Sequence, residues 1–225
     1  MKKIPTLFKR VFDENHKKSI TEEVTPGCEW VLRGEGLATI KYDGACCAII
    51  GGEIYKRYDA KQKYGKKPPE GAIPCQPEPD PITGHWPHWV RCEKDKPEDK
   101  YFIEACKSFK TYPIFSVDPA QRHEGNGNFS ADSFLDGTYE AVGPAWQSNP
   151  YGLAHNRLFR HGDDVIHYLW LRDDGKEDKF AFNKIKGYLQ KHEIEGIVFW
   201  KDGEPQCKIK RSDFGFEWPI KKGGQ

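Results

Sequence analysis

Apolar and polar positions alternate over short distances along most of this chain, the signature of strands more than of helices. Residues 6–12 alternate loosely and run into a turn at Asp13-Glu14-Asn15-His16, and Pro26-Gly27 marks a second turn. Residues 38–50 are rich in apolar side chains, broken near their start by Asp43-Gly44. Gly51-Gly52 then leads into Glu53-Ile-Tyr-Lys-Arg-Tyr58, and two strand-like runs flanking Gly-Gly predict a tight hairpin. Residues 61–81, dense in Lys, Pro and Gly, predict a surface loop too long to be a plain connector. Residues 101–109 predict a short helix, and Asn183 predicts the N-cap of another reaching about residue 191. Asp136-Gly137 opens a strand over 138–142, closed by Gly143-Pro144. A last apolar strand, 196–200, turns through Lys201-Asp202-Gly203-Glu204 into 206–211, a second hairpin. Short strands with one or two helices predict an α+β fold of twisted antiparallel sheets, one domain over residues 1–225.

Composition narrows the classes. A formal net charge of +1 excludes a uniformly basic nucleic-acid coat but leaves room for a local basic groove. No apolar run approaches the roughly 18–20 residues of a membrane-spanning helix, and Met1-Lys-Lys-Ile-Pro is followed by charged residues, so neither a membrane partner nor a secretory signal is expected. Seven cysteines, two of them adjacent at Cys46-Cys47, do not fit a disulfide framework, and reduced thiols in a cytoplasm are the simpler expectation. Cys75, His85, His88 and Cys92 are a conceivable zinc set. Against it, His85-x-x-His88 is too short for a helical i, i+4 pair. Pro74, Pro77, Pro79, Pro81 and Pro87 also favour a pinned loop with Trp86 and Trp89 buried.

The chemistry centres on Lys41-Tyr42-Asp43-Gly44. A lysine closing a strand before a tight turn can be held in a cleft with its amine toward a bound phosphate. A free lysine, with a pKa near 10.4, is only about 0.1% neutral near pH 7.4, so it attacks only where burial or cationic neighbours lower that value. Alone the pattern is weak, and its plain alternative is a solvated lysine beside a hairpin turn. Other residues add weight. Arg57 on the paired strand is expected near the Asp43-Gly44 turn, beside Lys41. Glu140 lies in Gly137-Thr-Tyr-Glu-Ala-Val-Gly-Pro144, and Glu195 stands at the mouth of Gly196-Ile-Val-Phe-Trp200. Lys208 and Lys210 share one face of the next strand. Each has a bland reading: Arg57 could pair with Asp59 or Glu53, the glutamates could be surface carboxylates, and the lysines could guard a sheet edge.

Taken in order, Lys-x-Asp-Gly, an arginine on the next strand, a strand glutamate, Glu-Gly-Ile-Val and Lys-Ile-Lys resemble the covalent nucleotidyltransferases: DNA ligases, RNA ligases and RNA capping enzymes. The chain is most similar to the stand-alone 5′-to-3′ RNA ligases that include a vertebrate member. That similarity runs through Lys41-Tyr-Asp-Gly-Ala-Cys-Cys47, Thr83-Gly-His-Trp-Pro-His-Trp89, Asn149-Pro-Tyr-Gly-Leu153, Glu195-Gly-Ile-Val198 and Phe214-Gly-Phe-Glu-Trp-Pro-Ile220. The resemblance implies a nucleotidyltransferase (adenylation) domain, of the ATP-grasp-like ligase type. It implies that Lys41 attacks the α-phosphate of ATP to form lysyl-AMP, that Arg57 contacts the ribose or phosphate, and that Glu140 holds the ribose hydroxyls. Glu195 would position a metal, and Lys208 and Lys210 would hold phosphates.

The implied cofactors are ATP and Mg2+, with Mn2+ possible, and the implied partner is RNA bearing 5′-phosphate and 3′-hydroxyl ends. No obligate protein partner is evident. Ile40 departs from the pattern, since many relatives carry there a glutamate that reads adenine. The adenine-stacking aromatic is open among Phe115, Tyr139 and Trp146. Only 15 residues follow Lys210, too few for the OB-fold that capping enzymes and DNA ligases normally add, and this favours RNA ligation. A DNA nick ligase of the same chemistry and a non-catalytic nucleotide- or RNA-binding protein of the same fold are the rival expectations. Charge alone suggests that Lys61, Lys63, Lys66 and Lys67 flank an RNA groove.

Overall fold

A computed structural model describes residues 3–15, 18–61, 64–81, 83–111, 136–166 and 178–220. Phe115 and Lys63 lie outside the described residues. In chain order the strands are β1 (Phe8–Phe12), β2 (Lys18–Val24), β3 (Leu37–Lys41), β4 (Ala45–Ile50), β5 (Glu53–Lys61) and β6 (Ile73–Pro74). There follow β7 (His85–Arg91), β8 (Gly137–Val142), β9 (Arg157–Arg160), β10 (Val165–Ile166), β11 (Gly196–Lys201) and β12 (Glu204–Lys210). The helices are α1 (Lys100–Thr111) and α2 (Asp178–Lys191). Sheets dominate and every strand pairing within them is antiparallel, an α+β architecture.

The chain forms two compact units, each with its own core. One is built on residues 43–161, the other on 4–42 and 162–225. The apolar run 38–50 divides between them: β3 belongs to one sheet and β4 to another, and the chain changes unit between Tyr42 and Asp43. Both halves of that run form strands, and the Asp-Gly break marks the change.

The unit of residues 43–161 carries a six-stranded sheet in the order β6-β7-β5-β4-β8-β9. The β4–β5 hairpin turns at Gly51 and Gly52, both at positive φ, as two glycines allow. Asp136 accepts the N–H groups of both. Phe102, Ala105 and Cys106 of α1, at helical spacing, join Cys47, Ile49 and Tyr139 of the sheet in the core. Cys46 and Glu140, cross-strand neighbours one position out of phase, therefore face the other way. Within residues 61–81 the loop expectation is partly corrected: Ile73–Pro74 pairs with β7 as an edge strand, a place where proline is tolerated. Residues 85–91 are a full strand paired to β5, not a pinned loop, although Pro87 sits inside it.

The other unit holds a four-stranded sheet, β10-β3-β11-β12, and the ribbon β1–β2. Phe182, Ile185 and Leu189 of α2 recur at three- and four-residue spacing and bury against Phe8, Ile197 and Phe199 among others. This helix starts at Asp178, five residues before Asn183, so Asn183 is inside it and not its cap. The apolar stripe overrides a weak local preference. Arg211 donates to the carbonyls of Leu189 and His192 at the far end of α2. Beside β12, residues 5–7 run parallel: Lys208 N–H donates to Pro5 at 3.0 Å and Leu7 N–H to Lys208 at 2.8 Å. The strand bearing Lys208 and Lys210 is thus covered on that side and needs no edge guard.

Candidate functional site

Register builds a lysine cluster in the unit of residues 4–42 and 162–225. Gly196 at the start of β11 lies opposite Lys41 on β3 and opposite Lys210 on β12. A Cβ on Gly196 would stand 2.2 Å from the carbonyl oxygen of Ile209, so the close pairing of β11 with β12 requires glycine here. Glu195, just before it, is buried and places one oxygen on each lysine. Lys41 Nζ donates to Oε2 at 2.5 Å, and Lys210 Nζ donates to Oε1. Lys41 Nζ also reaches the carbonyl of Tyr42 at 3.4 Å. The side chains of Lys41 and Lys210 remain 20% and 31% exposed, enough for a ligand to reach both amines.

Two positions along the same face, Thr39, Val198 and Lys208 form the next row. Burial, and then the charges of Lys41, Lys210 and Arg10, push Lys208 down to about 8, with Glu195 opposing. Behind the cluster, the buried Asp213 accepts from Arg10 at 3.0 Å, from Lys18 at 2.8 Å and from the Lys210 N–H at 2.9 Å. Burial alone would raise the Asp213 carboxyl; these donors outweigh it and hold it below its usual value. Strand alternation turns Ile40 to the opposite face, with Ile197 and Ile209 against the core. Its side chain, a nucleotide-binding candidate from the sequence, points away from the Lys41 face, and its N–H donates to the Asp164 carbonyl at 2.9 Å.

A second cluster lies in the unit of residues 43–161. Glu140 accepts the Gly44 N–H at 3.1 Å on Oε1, and its Oε2 lies 3.1 Å from His161 Nε2. The other nitrogen of His161 is 3.0 Å from Thr138 Oγ1. Arg57 binds Asp59 through two nitrogens at 3.0 and 3.1 Å, the pairing its sequence neighbourhood allowed, and also lies by Cys46. Asp43 N–H donates to Tyr151 Oη at 2.9 Å, while Asn149 closes its own loop through Leu153.

Of the sequence-derived candidates, Lys41, Glu195, Lys208 and Lys210 come together, and Arg57 and Glu140 belong to the second cluster. Among the stacking candidates, Tyr139 is fully buried in the core and Trp146 packs on Phe102. The conceivable zinc set is not assembled among the described residues, where Cys46, Glu140 and His161 make the one grouping of metal-ligand atoms. His85 and His88 are three apart on a strand and point to opposite faces. Sequence reading missed Arg10, Lys18, Asp213 and His161, none of which sits in a recognisable local motif. No protein-family model and no curated protein matches the chain.

Proposed function

We propose that the chain is an ATP-dependent RNA ligase that carries AMP on Lys41. The observation behind this reading is the Lys41–Glu195–Lys210 arrangement with Lys208 beside it. One partly exposed amine is fixed in place by a buried carboxylate, and two further cations stand where phosphates would lie. In the first step the free amine of Lys41 attacks the α-phosphorus of ATP, a P–N bond forms, pyrophosphate leaves with the electrons of the broken P–O bond, and the nitrogen gives up one proton to solvent. The AMP then passes to the 5′-phosphate of RNA, freeing the lysine, and a 3′-hydroxyl displaces AMP to form the phosphodiester. Every step moves charge at phosphorus, so positioning and fixed cations supply most of the catalysis.

Glu195 does not fit a resident divalent ion: it offers one carboxylate, and both oxygens are bound by ammonium groups. Magnesium belongs in this scheme as the counter-ion of the ATP phosphates. The nucleotidyltransferase-type fold and the ribose role of Glu140 follow from the resemblance. No helix of the described residues is long and apolar enough to cross a membrane.

The test is the intact mass of nucleotide-free protein after incubation with ATP and magnesium. A gain of about 329 Da, one AMP, in the wild type and none in Lys41→Ala is the expected result. No adduct would leave a nucleotide- or RNA-binding protein as the better reading. With the adduct in hand, ligation of nicked RNA but not nicked DNA separates RNA ligase from DNA ligase.

A further inference from the structure

We propose that Cys46, Glu140 and His161 form a binding site for a zinc-type divalent cation, on the face of the six-stranded sheet opposite α1. Each supplies one donor, a thiol sulfur, a carboxylate oxygen and an imidazole nitrogen, and these atoms all lie within 4.8 Å of one another. Ligands around tetrahedral zinc, bonded at about 2.0–2.3 Å, stand on the order of 3.5 Å apart, so about an ångström of closure completes the set. The backbone already holds the donors in place. Cys46 and Glu140 are direct cross-strand partners on β4 and β8, and the His161 N–H is bonded to the Thr138 carbonyl at 3.0 Å.

The surroundings match what a zinc ligand needs. His161 Nδ1 is held by Thr138 Oγ1 and Glu140 Oε1 by the Gly44 N–H, so the ion takes the place of the 3.1 Å contact between His161 Nε2 and Glu140 Oε2. Thiolate and carboxylate together cancel the ion's two charges, and a sulfur ligand selects zinc over magnesium. Three protein ligands leave a fourth position for water or a substrate atom.

Binding exchanges a proton for a metal. The Cys46 thiol is pushed up to about 12, by burial first and the Glu140 charge second, with Arg57 opposing. At neutral pH the incoming ion must therefore displace the thiol proton to solvent. The groups facing the thiol are Glu140 on β8, His161 beyond β9 and Arg57 on β5, itself paired to Asp59.

The experiment titrates the metal-free full-length chain with Zn2+ against a chromophoric chelator, for wild type, Cys46→Ser, His161→Gln and, as control, Cys92→Ser. One ion per wild-type chain is expected, unaffected by Cys92→Ser and at least 100-fold weaker in Cys46→Ser and His161→Gln. Unchanged unfolding midpoints must show that both site variants are folded. Absence of binding, or an affinity that neither site variant alters, overturns the site. If metal-free protein forms no adduct yet binds zinc, the ligase reading falls and the zinc site stands.

Discussion

Lys208 holds a charge where the fold disfavours one, and that conflict can be measured. Its ammonium is mostly buried beside Lys41, Lys210 and Arg10, and its pKa falls from 10.5 to about 8. A shift of that size means the charge is roughly 3 kcal/mol harder to keep in the folded chain than in the unfolded one. Between pH 8 and 10.5 the unfolded chain binds the proton and the folded chain does not, so stability from this group rises with pH across that window. Below pH 8 the penalty is complete. Lys208→Met keeps the unbranched stem and drops the charge, so it should stabilise the protein at pH 7 by about 1–3 kcal/mol, or several degrees in Tm. On the ligase reading the same change should also slow AMP transfer at least tenfold, because a cation would be lost from beside the phosphates. Thermal or urea unfolding of both proteins at pH 7, 8.5 and 10 reads the stability, and their difference cancels the titration of the buried cysteines. A variant no more stable than wild type at pH 7, or a gap that does not narrow toward pH 10, would refute the reasoning.

Other substitutions probe the same face. Glu195→Ala leaves two ammonium groups facing each other without their shared carboxylate, and should cost about 3 kcal/mol in urea unfolding as well as the AMP adduct. Gly196→Ala puts a methyl group against the Ile209 carbonyl and should destabilise by more than about 2 kcal/mol, read from the denaturation midpoint. Asp213→Asn removes the negative charge shared by Arg10 and Lys18. Because the folded carboxyl is held low, the stability it contributes is present above its ordinary pKa and lost as pH falls through the lowered one, so wild type and variant should converge in acid unfolding. Neutralising Lys61, Lys63, Lys66 and Lys67 together should weaken RNA binding and flatten its log–log salt dependence by roughly 0.7 for each RNA phosphate that no longer has a lysine beside it; an unchanged slope removes that loop from the RNA path.

Much of the lysine cluster was legible because strand chemistry is periodic. Alternation places Lys208 and Lys210 on one face, and the apolar run after Glu195 announces β11. Register was not legible, since no local signal says that Gly196 sits between Lys41 and Lys210, although that row brings the amines onto one carboxylate. The same rule, followed one residue back, would have turned Ile40 to the core. Prolines misled in residues 73–91, where a strand tolerates Pro87 and an edge tolerates Pro74. The division into two units left no trace in composition, because neither boundary is marked by a linker. Partners far apart in the chain, such as Arg10 and Asp213, are invisible to any local reading.

The strip of residues 5–7 along β12 also bears on the order in which the chain can fold during synthesis. Residues 43–161 are continuous and can gather around their own core once they emerge from the ribosome. The unit that carries Lys41 cannot, because Leu7 and β3 must wait for Lys208 and β11, which follow the whole of residues 43–161 in the chain. Lys41 is therefore made before residues 43–161 and acquires its surroundings only after them, so a chain stalled before Glu195 would display Lys41 without the carboxylate and lysine that stand beside it.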